Sequence, residues 1–133
     1  EGDALFHSLQ VYRCAAAETA DPELRAAALL HDVGKAEAGA EHDSVGAELL
    51  CGLVPERVCW LVAHHLDLLR APRQSRALLA GDPRLADLER LRRWDLAGRD
   101  PRASVCAPEV ALAGLDRRAL DRRCMEELRS GRP

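Results

Sequence analysis

Asp21-Pro-Glu-Leu-Arg-Ala-Ala-Ala-Leu-Leu-His-Asp-Val-Gly-Lys35 is the stretch whose reading decides the fold. An aspartate followed by Pro22, with Glu23 in the first turn, is how a helix opens, because the carboxylate satisfies free N–H groups and proline needs none. Leu24, Ala27, Ala28 and His31 then recur at helical spacing, and Gly34 supplies a stop. The spacing predicts a helix over residues 22–34 whose buried stripe ends on an imidazole.

The same grammar extends in both directions. A first helix is expected over residues 3–19, with Leu5, Leu9, Tyr12 and Ala16 on one face and His7 and Val11 beside them. Residues 36–43 read as a loop, after which Asp43 or Ser44 can cap a short helix through Leu50. Pro55 opens a helix carrying Val58, Leu61, Val62, His65 and Leu69. A minor helix over 73–80 follows, and Gly81-Asp82-Pro83 resets the chain for an amphipathic helix with Leu85, Leu88, Leu91 and Asp95, ending near Gly98. Pro101 and Pro108 bound a second loop, and residues 115–129 form a last, arginine-rich helix with Leu120, Cys124 and Leu128 facing inwards. The expected fold is all-α: a bundle of five main helices plus short connecting helices.

Composition supports that reading. The 133 residues include 23 Ala and 22 Leu against 8 Val, no Ile and one Thr, which leaves too little β-branched material for a sandwich or a large parallel sheet. The length is that of a single domain spanning 1–133, with its chemistry expected between about residues 4 and 105. No apolar run approaches the ~20 residues of a membrane span. The net charge of −3, with both signs interspersed, leaves no basic stripe for nucleic acid. The arginine-rich last helix can support a homodimer. Five cysteines, odd in number and without a CxxC pair, read as small core residues of a reducing compartment, and with no signal-like N-terminus the expected location is cytoplasmic. Of the 19 basic residues only Lys35 is a lysine, which hints at a place that needs a compact ammonium.

The informative residues are polar ones on apolar faces. His31 falls on the stripe of Leu24 and Ala27, His65 on that of Val58, Leu61 and Val62, and Asp95 on that of Leu88 and Leu91, while His7 lies between Ala4 and Val11. Each alone reads as a hydrogen-bonded or ion-paired core residue. Four helices each turning one N or O donor inwards are explained together by a divalent metal, and the His/carboxylate mixture suits Fe, Mn, Mg or Zn.

The order of these residues is also recognisable: His7; Ala28-Leu-Leu-His-Asp-Val-Gly-Lys35; His42 in Glu41-His-Asp-Ser-Val-Gly-Ala47; His64-His65; and Asp95 in Leu91-Arg-Arg-Trp-Asp-Leu-Ala-Gly-Arg99. From His7 to about residue 105 the chain resembles the HD-domain superfamily of metal-dependent phosphohydrolases, whose fold is an all-α bundle. The resemblance implies that His7, His31, Asp32 and Asp95 are core ligands of one or two metal ions, Asp32 bridging if two bind. It implies that His42 and one of His64 and His65 complete the second set. Helix phase favours His65, although both members of such a pair coordinate in some subfamilies; Asp100 is a rival to Asp95.

Two chemistries share that scaffold. In a phosphohydrolase a metal-activated water attacks phosphorus, Asp32 and Lys35 are the catalytic residues, and Lys35 neutralises substrate charge, with Arg92, Arg93 and Arg99, which flank Asp95, as weaker candidates for substrate binding. In the HD-type mixed-valent diiron oxygenases, six His/Asp ligands hold an iron pair that acts on a phosphonate or polyol. The segment His42-x-x-x-Gly46-Ala47 and the closing Leu91–Gly98 stretch are similar to that group. The short span from His65 to Asp95, the absence of a lysine in Leu66-Asp-Leu-Leu-Arg70 and the lack of a gating Tyr/Glu segment before His7 are unlike it. A hydrolase of a small phosphate ester or nucleotide is the expectation, the oxygenase the alternative. A degenerate, purely scaffolding domain is disfavoured because every ligand type is present.

Overall fold

The computed structural model describes residues 3–115. Eight α-helices and one 3-10 turn make up the described fold, and no strand occurs among these residues. They are α1 (Ala4–Glu18), α2 (Pro22–Leu30), a 3-10 turn (Val33–Ala36), α3 (His42–Leu50), α4 (Glu56–His64), α5 (Asp67–Arg70), α6 (Pro72–Leu78), α7 (Pro83–Ala97) and α8 (Pro108–Ala113). No described helix is long and apolar enough to cross a membrane.

Local chemistry sets the boundaries. Asp3, Asp21 and Asp82 each turn a carboxylate onto the free N–H groups of the helix they precede, and prolines open α2, α6, α7 and α8. The expected helix over 22–34 ends at Leu30. The His31 ring donates from Nδ1 to the carbonyl of Ala28, the group a continued helix would offer to the next turn, and the chain leaves helical geometry at Asp32. The single helix expected from Pro55 to Leu69 breaks for the same reason: His65 ends α4 by bonding the carbonyl of Val62, and α5 begins afresh at Asp67. Neither Asp43 nor Ser44 caps α3, which starts at His42; Asp43 is drawn to Arg70 instead. Helix α8 falls partly within what reads as loop, and the predicted helix over 115–129 lies outside the described residues except for Leu115. Cys51 is exposed rather than core, and Cys14, Cys59 and Cys106 are partly buried free thiols.

The core is built from the inner faces of α1, α2, α4 and α7: Val11, Ala15, Leu24, Ala27, Val58, Leu61, Val62, Leu88, Leu91 and Trp94 are almost wholly removed from water. Burying a Leu- or Val-sized side chain contributes about 1.5–3 kcal/mol, so this shared centre dominates stability. Trp94 keeps its indole satisfied by donating to Glu18 at 2.7 Å, which ties α7 to α1. Two glycines permit close approaches that matter for the site. A Cβ on Gly34 would lie 2.2 Å from the carbonyl oxygen of His42, so the 3-10 turn rests directly on the start of α3. A Cβ on Gly98 would meet Val11 at 2.8 Å, so the end of α7 presses against α1.

Candidate metal centre

Sequentially distant residues converge at one end of this core. His7 comes from α1, His31 and Asp32 from the junction between α2 and the 3-10 turn, His42 from the start of α3, His65 from the end of α4 and Asp95 from α7. The ring of His31 is fully buried, and Asp32, His42, His65 and Asp95 are nearly so.

Asp32 sits at the centre and faces two ways. Its Oδ2 lies 3.3 Å from His31 Nε2 and 3.7 Å from His7 Nε2, while its Oδ1 lies 3.1 Å from His42 Nε2 and 3.6 Å from His65 Nε2. Asp95 closes the first set, with Oδ1 at 2.7 Å from His7 Nε2 and 3.4 Å from His31 Nε2. His42 Nε2 and His65 Nε2 stand 3.2 Å apart in the second. Two ligand triads result, His7/His31/Asp32 and Asp32/His42/His65, sharing one carboxylate.

Whether these residues fit a metal is decided by where the ring protons are. Each of the four imidazoles bonds a backbone carbonyl through Nδ1: His7 to Gly98 at 2.6 Å, His31 to Ala28 at 2.8 Å, His42 to Gly39 at 2.7 Å and His65 to Val62 at 2.7 Å. A carbonyl can only accept, so every Nδ1 carries the proton and every neutral ring presents a lone pair at Nε2. With the rings neutral, four lone pairs and two carboxylates point at one another in a dry interior, an arrangement that repels itself unless protons or cations lie among them. His31 Nε2 is a buried polar atom with no hydrogen-bond partner. The donor set fits one or two divalent ions.

Electrostatics agree. Burial alone would lower the pKa of His31, but the Asp32 and Asp95 carboxylates outweigh it and push the ring up to about 9. Burial likewise raises Asp32 and Asp95, and attraction to His31, together with His65 and Lys35 for Asp32 and His7 for Asp95, holds both well below the usual carboxylate range. A metal ion entering there competes with a proton for the His31 ring.

The other expected site residues occupy distinct places. Lys35 Nζ stands 3.1 Å from Asp32 Oδ2 with its side chain nearly half exposed. Arg99 reaches Asp95 Oδ1 at 3.4 Å and Arg92 reaches Asp95 Oδ2 at 3.8 Å. His64 points away: its Nδ1 lies 2.7 Å from Asp67 Oδ2 and its ring stacks on Trp60. Asp100 is also outside the cluster, its carboxylate accepting from the Arg102 N–H, and Arg93 pairs with Glu18. A cavity of about 480 Å³ opens beside His7, its wall including Gln10, Lys35, Arg99, Asp3 and Asp100.

Several supporting groups escape sequence reading. The carbonyls of Ala28, Gly39, Val62 and Gly98 orient the rings, but backbone atoms leave no residue-type signal. Arg70 clasps Asp43 at 2.6 Å and also bonds the carbonyl of Ala40, pinning the loop that delivers His42. An arginine five residues beyond a predicted ligand was visible, but not its target.

A helical bundle that gathers four imidazoles and Asp95 around the Asp32 carboxylate defines the protein as an all-α domain with a His/Asp cluster that could hold a metal ion. The sequence matches the HD domain over residues 5–106, and the chain belongs to that family, one of metal-dependent hydrolases. A comparison with curated proteins gave no match.

Proposed function

We propose that the protein is a metal-dependent phosphohydrolase acting on a small phosphate ester. One observation carries the reading. Lys35 places its ammonium beside the shared Asp32 and in the wall of the cavity that His7 lines, where an anionic substrate would meet it. A compact, exposed cation at 3.1 Å from a ligand carboxylate is suited to a phosphoryl oxygen that approaches the same carboxylate's metal. Arg99, in the same wall, adds a second positive charge.

When bound, a divalent ion supplies Lewis acidity towards a phosphoryl oxygen and makes a coordinated water more acidic. His7, His31, Asp95 and Asp32 would hold one such ion, and Asp32, His42 and His65 a second. The protein's own residues then orient and balance charge. The carbonyl-bound rings keep their Nε2 atoms aimed inwards, Asp32 fixes the spacing of the two sets, and Lys35 and Arg99 offset the negative charge of the phosphoryl group.

Metal analysis of protein purified without added metal, followed by assay against a panel of phosphate esters, tests this. Manganese, magnesium or zinc with phosphatase activity, lost together with bound metal in Asp32→Ala, supports it. The six-residue set of four histidines and two aspartates also favours a second reading, the HD-type diiron oxygenase; two irons giving the EPR signal of a mixed-valent pair, without phosphatase activity, would select that reading.

A further inference from the structure

A second cavity, of about 420 Å³, adjoins the first: Ala4 and Lys35 line both, and Asp32 lines the second as well. Its remaining wall is apolar except for Ser8, formed chiefly by Leu5 of α1, Leu29 and Leu30 of α2, Val33 of the 3-10 turn, and Pro108 and Leu112 of α8. Leu5 is 48 % exposed, Val33 38 % and Leu112 54 %. A solitary exposed leucine needs no explanation, but apolar side chains from three elements left open around one concavity that reaches a ligand carboxylate do. Small-molecule sites have this make-up and size, largely apolar with a few polar groups at one end.

We propose that this second cavity binds the organic group of the substrate, so that the preferred ligand is an amphiphilic phosphate monoester with a hydrocarbon chain or ring rather than a sugar-linked phosphate. The inference rests on the phosphohydrolase reading for its reaction, not for its binding. The phosphate sits in the first cavity against Lys35 and Arg99, and the hydrocarbon passes Ala4 and Lys35 to lie among Leu5, Leu30, Val33 and Leu112. A sugar placed there would bury hydroxyls against leucine with few groups to bond them, Ser8 being the one hydroxyl in the wall. Hydrolysis breaks the bond from phosphorus to the alkoxy oxygen and forms one from phosphorus to the oxygen of water. The proton released by that water ends on the departing alcohol, giving R–OH and inorganic phosphate.

Binding and turnover are measured separately on the metal-loaded full chain. Calorimetric titration with methyl-, butyl- and hexylphosphonate, which resist hydrolysis, is expected to show Kd falling roughly fourfold per methylene where burial is complete, up to the order of 10³-fold across the series. Leu112→Glu, with Leu5→Gln as a second variant, should flatten that dependence while helical content and metal content stay unchanged. A Kd independent of chain length, or no binding of any member, overturns the proposal and leaves the groove to another occupant. Chain-length-dependent binding without turnover of methyl or hexyl phosphate would retain the pocket and overturn the phosphohydrolase reading instead.

Discussion

His42 and His65 face each other nitrogen to nitrogen, their Nε2 atoms 3.2 Å apart, although 23 residues separate them in sequence. Both rings spend their Nδ1 proton on a backbone carbonyl, so two lone pairs meet across this gap, with Asp32 Oδ1 beside them. A cation shared by the three removes the repulsion. His65→Ala is therefore expected to lower bound metal by about one ion per chain if two bind, or to weaken affinity by roughly 10–100-fold or more. His64→Ala should leave metal content intact, because that ring is occupied by Asp67 and Trp60. Metal per chain, measured on both variants, distinguishes the neighbours; equal loss in the two would contradict the geometry.

In the proposed reaction Lys35 contributes charge without being a ligand. Lys35→Ala should preserve metal content and lower kcat by about 10²-fold, the usual loss when one preorganised charge-stabilising donor is removed. Lys35→Arg should restore only part of the rate, since a planar fork does not occupy the place of a point charge. Steady-state kinetics with metal analysis on the same samples checks both statements, and a normal kcat in Lys35→Ala would return the residue to a surface role.

Gly34 tests the scaffold that brings Asp32 to His42. Its position allows no Cβ, because His42 oxygen would lie at 2.2 Å and the Gly46 nitrogen at 2.6 Å, both backbone atoms that cannot swing aside. Gly34→Ala should cost about 1–3 kcal/mol, the range for overpacking. It should also weaken metal binding at the set that includes His42, because the only relief is to part the 3-10 turn from α3. Denaturant melts alongside metal titration measure the two effects; a variant as stable and as metal-replete as the parent would show that the contact is not tight.

How much of this was legible in the sequence follows from what each feature depends on. The stripes that bury Leu24, Leu61 and Leu91 are periodic, so the main helices and the inward turn of His31, His65 and Asp95 could be read directly. Phase also separated His65 from His64 correctly as the inward-facing ring. The helix ends were misread at His31 and His65, because there a side chain takes a carbonyl from its own helix and no Gly or Pro marks the stop. Helix α8 is only six residues long, too short for a helical period to show. The clasp of Arg70 on Asp43 and the carbonyl partners of the rings are tertiary relations, invisible to any local pattern.

Away from the metal centre, Arg57 joins three elements and gives the fold a defined response to acid. Its guanidinium lies 2.7 Å from Asp21 Oδ2, 3.3 Å from Glu23 Oε1 and 3.1 Å from Asp87 Oδ2, linking α4 to the start of α2 and to α7. Burial raises the pKa of Asp21, but the hydrogen bond and charge of Arg57 and the N–H groups it caps bring it below the ordinary value. A carboxyl whose pKa is lower in the folded than in the unfolded chain stabilises the fold above its unfolded pKa. That contribution disappears as pH falls through the folded one. Arg57→Met should thus cost about 1–3 kcal/mol at neutral pH, where it removes the guanidinium that Asp21 and Asp87 share. The penalty should shrink as those carboxylates protonate, below roughly pH 4. Urea melts of parent and variant at pH 7 and pH 3.5 read the difference directly, and a penalty that stays constant or grows with acid would mean that Arg57 acts through packing of its stem rather than through its charge.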